Sequence, residues 1–361
     1  MAHYYVDPVS GSDTTGDGLS DGTAWQTLQH ALDNITKGTY GDQVNLKSSG
    51  ADVLTANLDF TTYDPGSSAT GAGLDKLVIR GYGSTANDGA FGIIDEDALY
   101  RINTLNHTSL IDLEIKNGPG NTDAIQALSN QSRMVNCHVH SCPRSILGYA
   151  HGGTAVVNCR FENIANEVCR SHSSSFLNCY FSTGPDYAFT TAIKITTGTV
   201  KNCVFNLSGG ATAIEGASIG HTVTNNTFYC DSGFGAAYLV TGDDARGSVV
   251  AENIIMGFTT GTGIDNQSDY GLVLRNNTFY NNGTDISDPA AGADGYADKT
   301  GNETVGSSPI AESGSDTFAN RGTFFAPLDV GSVTSDVLPR GAIPTSATIS
   351  TGYSLHPLAY N

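Results

Sequence analysis

Between Arg133 and Lys201 the chain carries six basic residues, Arg133, Arg144, Arg160, Arg170, Lys194 and Lys201, against three acidic ones, Glu162, Glu167 and Asp186, with four histidines besides. The whole molecule is strongly acidic, with a net charge of -19 over 361 residues. A local basic excess inside such a protein is where an anionic ligand would be held. The same stretch offers groups for acid–base work. Glu167 and Asp186 would suit hydrolysis of a glycosidic bond if their carboxylates stood about 5 to 9 Å apart. Arginine together with Tyr187 or His172 would instead suit proton abstraction beside a carboxylate whose charge the arginine neutralises. The plainer reading of Arg144 and Glu167 is an exposed cross-strand ion pair, which is worth little.

These residues need a scaffold, and a repeat supplies it. The phrase Val156-Val157-Asn158-Cys159-Arg160-Phe161 returns from Met134 to Val139, Phe176 to Phe181, Val200 to Phe205, Val223 to Phe228, Val250 to Ile255 and Leu274 to Phe279, with a weaker copy in Ile111 to Ile115. From Cys137 to Asn277 equivalent positions are 22, 20, 24, 23, 27 and 24 residues apart, a solenoid spacing. Asn tolerates a left-handed backbone better than other residues that bear a side chain, so one Asn can turn the chain sharply between two strands. Stacked copies predict an amide ladder at that corner. Beyond the turn, alternation puts Cys137, Cys159, Cys179 and Cys203 on one face with Val139, Phe161, Phe181, Phe205 and Phe228. Three short strands with turns fit a coil of about 23 residues, whereas two helices do not.

On these residues, and most closely on Asn276-Asn277-Thr278-Phe279-Tyr280-Asn281-Asn282-Gly283, the sequence resembles the pectate-lyase-like superfamily over roughly residues 1 to 285. The resemblance implies an all-β fold, a right-handed parallel β-helix. In members that act on polysaccharide the substrate lies outside one parallel sheet near mid-solenoid. That points to a second strand series, Ala124-Ile125-Gln126, Ser145-Ile146-Leu147, Glu167-Val168-Cys169, Ala188-Phe189-Thr190, Ala213-Ile214-Glu215 and Gly263-Ile264-Asp265, each with its middle residue inside. The expected catalytic residues are Glu167, Asp186, Arg144 and Tyr187, with Arg170, His172 and Gln126 binding substrate. Glu167 is expected near Arg144 on one side and near Asp186 or Tyr187 on the other. Asn121-Thr122-Asp123 is similar to one polygalacturonase motif, but the paired Asp one coil later is absent and His151-Gly152-Gly153 is not that family's Gly-His-Gly. The expectation is therefore a carbohydrate-binding, polysaccharide-degrading lyase or glycosidase acting on an anionic polysaccharide. A non-catalytic virion or cell-surface module is the alternative, supported by Ser313 to Val330, which is similar in style to the tails of phage and bacterial surface β-helices.

The remaining features bound the problem. Net charge excludes nucleic acid and anionic membranes as partners, and no stretch could span a bilayer. The N-terminus shows no signal peptide, so the expected extracellular or virion-associated location implies a removed leader or release by another route. Oligomers are allowed. Seven cysteines, four in the inward column, read as free thiols packed as small apolar groups. His138 and His140 alternate outward beside Arg160 and Glu162, and two histidines with no third ligand in view read as a solvated face, so no metal ligand is assigned. Asp13, Asp17 and Asp21 lie in a Gly-rich loop that lacks the closing Glu of a calcium loop; Ca2+ is allowed and not required. Thr23 to Gln26 has capping-box spacing, and Trp25, Leu28, Leu32 and Ile35 share a helical face, which predicts an N-terminal capping helix. The expected units are 1–43 with that helix, the solenoid over 44–285, and a C-terminal cap or tail over 286–361.

Overall fold

The computed structural model describes residues 2–35, 42–60, 77–103, 105–129, 132–144, 147–150, 153–171, 173–184, 186, 188–218, 220–231, 233–241, 246–267, 271–287 and 296–310. They form three parallel sheets of 12, 11 and 9 strands, and from Leu77 onward the chain adds one strand to each sheet in turn. This is the parallel β-helix that the repeat predicts. Pairing is not confined to 44–285: His3–Val6 pairs with Asp42–Lys47 in the first sheet, and Tyr296–Thr300 and Glu303–Thr304 extend the first and second sheets. Residues 61–76 and the tail from 311 onward, which includes Ser313 to Val330, lie outside the described residues.

The corner between the first and second sheets is a single left-handed residue in each coil. Asn136, Asn158, Asn178, Asn202, Asn225 and Asn276 have φ between 53° and 58°, and Asp112 and Glu252 take the same conformation. At this corner Asn136 Nδ2 reaches Asp112 Oδ1 at 2.7 Å. The continuous ladder, however, stands one residue further on than expected. Asn226 Nδ2 donates to Asn253 Oδ1 at 3.0 Å, Asn253 Nδ2 to Asn277 Oδ1 at 2.9 Å, and Asn277 Nδ2 to Asn302 Oδ1 at 2.8 Å. The reason is that the corner residue is partly exposed, whereas the residue after it turns inward and is buried, where an unpaired amide would be costly.

Cysteine fills this inward position in the earlier coils. Cys179 Sγ reaches Val156 O at 3.4 Å and Cys203 Sγ reaches Phe176 O at 3.6 Å, just as Asn226 Nδ2 reaches Val200 O at 3.1 Å. All seven cysteines are buried. Phe161, Phe181, Phe205 and Phe228 stack below them, with neighbouring centroids 5.1, 4.7 and 4.9 Å apart and planes within 14°. Stacking follows from register, since Phe161, Phe181, Phe205 and Phe228 face one another directly in successive strands.

One α-helix, Leu28–Asn34, buries Leu28, Ala31 and Leu32 in the main core. Its N-cap is Thr27, which accepts from His30 N at 3.2 Å, so the capping box does not sit at Thr23. Thr23 ends a 3-10 turn instead. Trp25 is drawn into backbone pairing with Tyr5 and Asp7 and stacks on Tyr4 at 5.6 Å, which keeps it out of the helix.

Candidate functional site: the outer face of the third sheet and its corner

Ile125, Leu147, Cys169, Ile193, Ile214, Tyr238, Ile264 and Ile286 are in register along the third sheet. The described members of this column that have resolvable side chains are buried down to Ile264. Expectation and structure agree at Ile125, Ile214 and Ile264. Val168 and Phe189 are buried in the core as expected, while the column in register with Ile125 and Ile214 passes through Cys169 and Ile193; irregularities beside Leu147 and between Asn166 and Glu167 shift the pairing. Ser145 and Ile146 lie outside the described residues.

The shift changes which groups meet. Glu167 is in register with Thr191, and its carboxylate binds Arg170 of its own strand. Asp186 is held at the corner before the sheet: Asn163 Nδ2 donates to its Oδ2 at 3.1 Å, and its own N–H donates to Asn163 Oδ1 at 3.1 Å. Glu167 and Asp186 are thus fixed by different partners, Arg170 and Asn163. Arg144 donates to Asn121 O and makes no ion pair with Glu167. Gln126 is exposed on the Ile125–Ser129 strand. Tyr187 and His172 lie outside the described residues.

Two arrangements emerge that sequence reasoning did not isolate. Arg170 and Lys194 occupy the same outward position in adjacent coils, followed in register by Glu215. Lys194 Nζ lies 2.6 Å from Glu215 Oε1, and the Arg170 and Lys194 side chains are 51% and 38% exposed. Four charges, the cations Arg170 and Lys194 and the carboxylates of Glu167 and Glu215, therefore share this part of the sheet. Beside it, at the corner between the second and third sheets, an open groove of about 600 Å³ is lined by Asp95, Asp97, Asn117, Ser141, Asn163 and Asp186 among others. Asn117, Ser141 and Asn163 are left-handed, with φ of 56°, 56° and 53°. Short polar side chains thus recur at a second corner as they do at the first; their spacing of 24 and 22 residues is the signal that would have marked them. Below the groove Glu96 is buried, which raises its carboxyl well above the usual range.

The basic excess of residues 133–201 is not a single patch. Arg133 and Lys201 belong to the first sheet, Arg160 to the second, and Arg170 and Lys194 to the third. A window three coils long wraps around the solenoid, so proximity in sequence does not become proximity on one face. On the second sheet His138 and His140 are stacked, with centroids 4.4 Å apart. Burial, and next the neighbouring His138, lower the His140 pKa. In the N-terminal loop Asp13 accepts from Gln26 N, Asp17 from Thr23 Oγ1 and Asp21 from Lys47, so these carboxylates are directed at separate protein donors. No helix among the described residues is long and apolar enough to cross a membrane.

No family model matches the chain, and no curated protein matches it. Solved structures do. A rhamnogalacturonan lyase aligns with a TM-score of 0.55 at 15% identity, over 94% of this chain and 98% of its own. The pectate lyase Pel9A aligns at 0.55 and 13% identity, over 98% and 90%. XylC in complex with xylose aligns at 0.53 and 10% identity, over 79% and 69%. Likeness of this degree shows the fold alone, a parallel β-helix.

Proposed function

We propose that the protein binds an anionic polysaccharide along the outer face of the third sheet and the adjoining corner groove, and that it cleaves the bound chain. The observation that carries this reading is the in-register pair Arg170 and Lys194, two half-exposed cations in adjacent coils, ion-paired with Glu167 and Glu215. Coils are about 4.8 Å apart, which suits two cations receiving the acidic groups of one chain laid along the solenoid. Sugar carboxylates would exchange with Glu167 and Glu215 for these cations. That exchange would free Glu167 as a base where substrate is bound. In the groove, Asp95, Asp97, Asn117, Asn163 and Asp186 offer planar acceptors and donors to sugar hydroxyls, and Asp186 is the second candidate for proton transfer. Arg144, Tyr187, His172 and Gln126 complete the proposed site. An extracellular or virion-associated setting accords with this reading.

A second reading, a non-catalytic surface or virion module, is favoured by one feature: Glu167 and Glu215 already balance the charges of Arg170 and Lys194 within the protein. A panel of anionic and neutral polysaccharides separates the two. New ultraviolet absorbance together with reducing ends identifies a lyase, reducing ends alone a hydrolase, and neither leaves the structural module.

A further inference from the structure

The second sheet gathers three side chains able to ligate a metal ion that the proposed function does not use. His138 and His140 project from alternate positions of the His138–Cys142 strand. Glu114 lies in register with His138 one coil earlier. Their ligating atoms all fall within 4.8 Å of one another, and each of the three residues is partly exposed. His140 Nε2 is 3.3 Å from Glu114 Oε1. That is close to the ~3.3 Å separating two ligands that each sit about 2.0–2.1 Å from a tetrahedral ion.

We infer that Glu114, His138 and His140 form a site for a first-row divalent transition ion of the Zn2+ kind. Two imidazoles and one carboxylate are a donor set that suits such ions, whereas Ca2+ and Mg2+ prefer oxygen alone. The side chains of His138, His140 and Glu114 are 23%, 23% and 27% exposed, so solvent reaches the remaining coordination positions.

The surroundings orient the ligands. His140 Nδ1 is 3.0 Å from Ser141 Oγ, a contact that leaves Nε2 as the nitrogen turned toward Glu114. Supporting contacts of this type fix ring orientation in metal sites. His138 Nε2 is 3.2 Å from Glu162 Oε2, and Glu162 is ion-paired with Arg160. Lys116 Nζ, 3.7 Å from Glu114 Oε1, is the cation that an incoming metal would displace. The arrangement was hidden in the sequence because the third ligand comes from the coil before the histidines, 24 residues from His138.

The test is titration of the chelator-treated full chain with Zn2+ against a competing indicator, together with the visible absorption of the Co2+ form. The inference predicts one Zn2+ per chain and Co2+ bands typical of nitrogen and oxygen ligands. Both should be lost in His140→Ala and in the near-isosteric Glu114→Gln, and retained in His3→Ala. Circular dichroism on each variant separates loss of ligand from loss of fold, and the wild-type Co2+ spectrum stands even if a variant fails to fold. No saturable Zn2+ and no such bands in the wild type would overturn the site. So would binding that survives His140→Ala and Glu114→Gln together, or binding of Ca2+ in place of Zn2+.

Discussion

Asn253 and Asn277 are 24 residues apart in sequence, yet Asn253 Nδ2 donates to Asn277 Oδ1 at 2.9 Å with both residues fully buried. Asn253 also donates to Val223 O at 3.0 Å, and its Oδ1 accepts from Asn226 N and Asn226 Nδ2. One amide therefore joins three successive coils. Replacing it with Leu strands several buried donors and acceptors, each worth about 1–3 kcal/mol. Asn253→Leu should lower stability by more than about 2 kcal/mol in urea unfolding. A variant as stable as wild type would mean that the ladder does not hold the coils together.

Phe181 packs between Phe161 and Phe205 with ring planes nearly parallel to both. Its neighbours are locked in register and cannot collapse into the space it leaves. Phe181→Ala should cost about 3–5 kcal/mol, while Phe181→Leu should cost less because it keeps most of the volume. Equal losses for the two would argue against a rigid aromatic column.

Much of this fold was legible because most turns of the first corner repeat two signatures at once: an Asn that accepts φ near 55° and, three residues on, a large apolar residue facing in. The third sheet lacks such a marker. There the segments Ile125-Gln126-Ala127 and Phe189 to Ile195 mix apolar and polar residues in ways that allow more than one register, and the irregularity between Asn166 and Glu167 decides it. That is why Glu167 was expected beside Asp186 and is found in register with Thr191. Likewise, Asp95 and Asp97 join the groove from an early coil whose repeat is too weak to align by eye. A candidate site built from several coils is readable only as far as their register is.

His221 is fully buried, its Nε2 bonded to Tyr238 Oη and its Nδ1 3.3 Å from Ser248 Oγ. Burial lowers its pKa to about 4. Between that value and the ordinary value of about 6.5, the unfolded chain takes up a proton that the folded chain refuses. The stability tied to this group is therefore complete above about pH 6.5, falls as pH drops toward 4, and levels off below. Relative to His221→Gln, the wild type should lose stability between pH 7 and pH 4.5. A difference that stays flat across that range would show that the imidazole is not held neutral in the fold.

Glu167 is proposed to leave Arg170 when an acidic sugar arrives and then to act as a base. Glu167→Gln should abolish turnover of a polysaccharide that the wild type cleaves while leaving its binding nearly unchanged. Parallel loss of binding and turnover would assign Glu167 to holding Arg170 in place, without a chemical role.

The most direct test of the account is the affinity of wild type and of the Arg170→Ala/Lys194→Ala double variant for soluble polyuronates at low and at physiological salt. Wild type should bind, with affinity falling as salt rises, because exposed charges are screened beyond about 8 Å at physiological ionic strength. The double variant should bind at least about tenfold more weakly, the loss expected from removing charge-assisted hydrogen bonds, and should respond less to salt. Equal binding by the two proteins, or no binding of any polyuronate by the wild type, would contradict a polysaccharide site on the outer face of the third sheet.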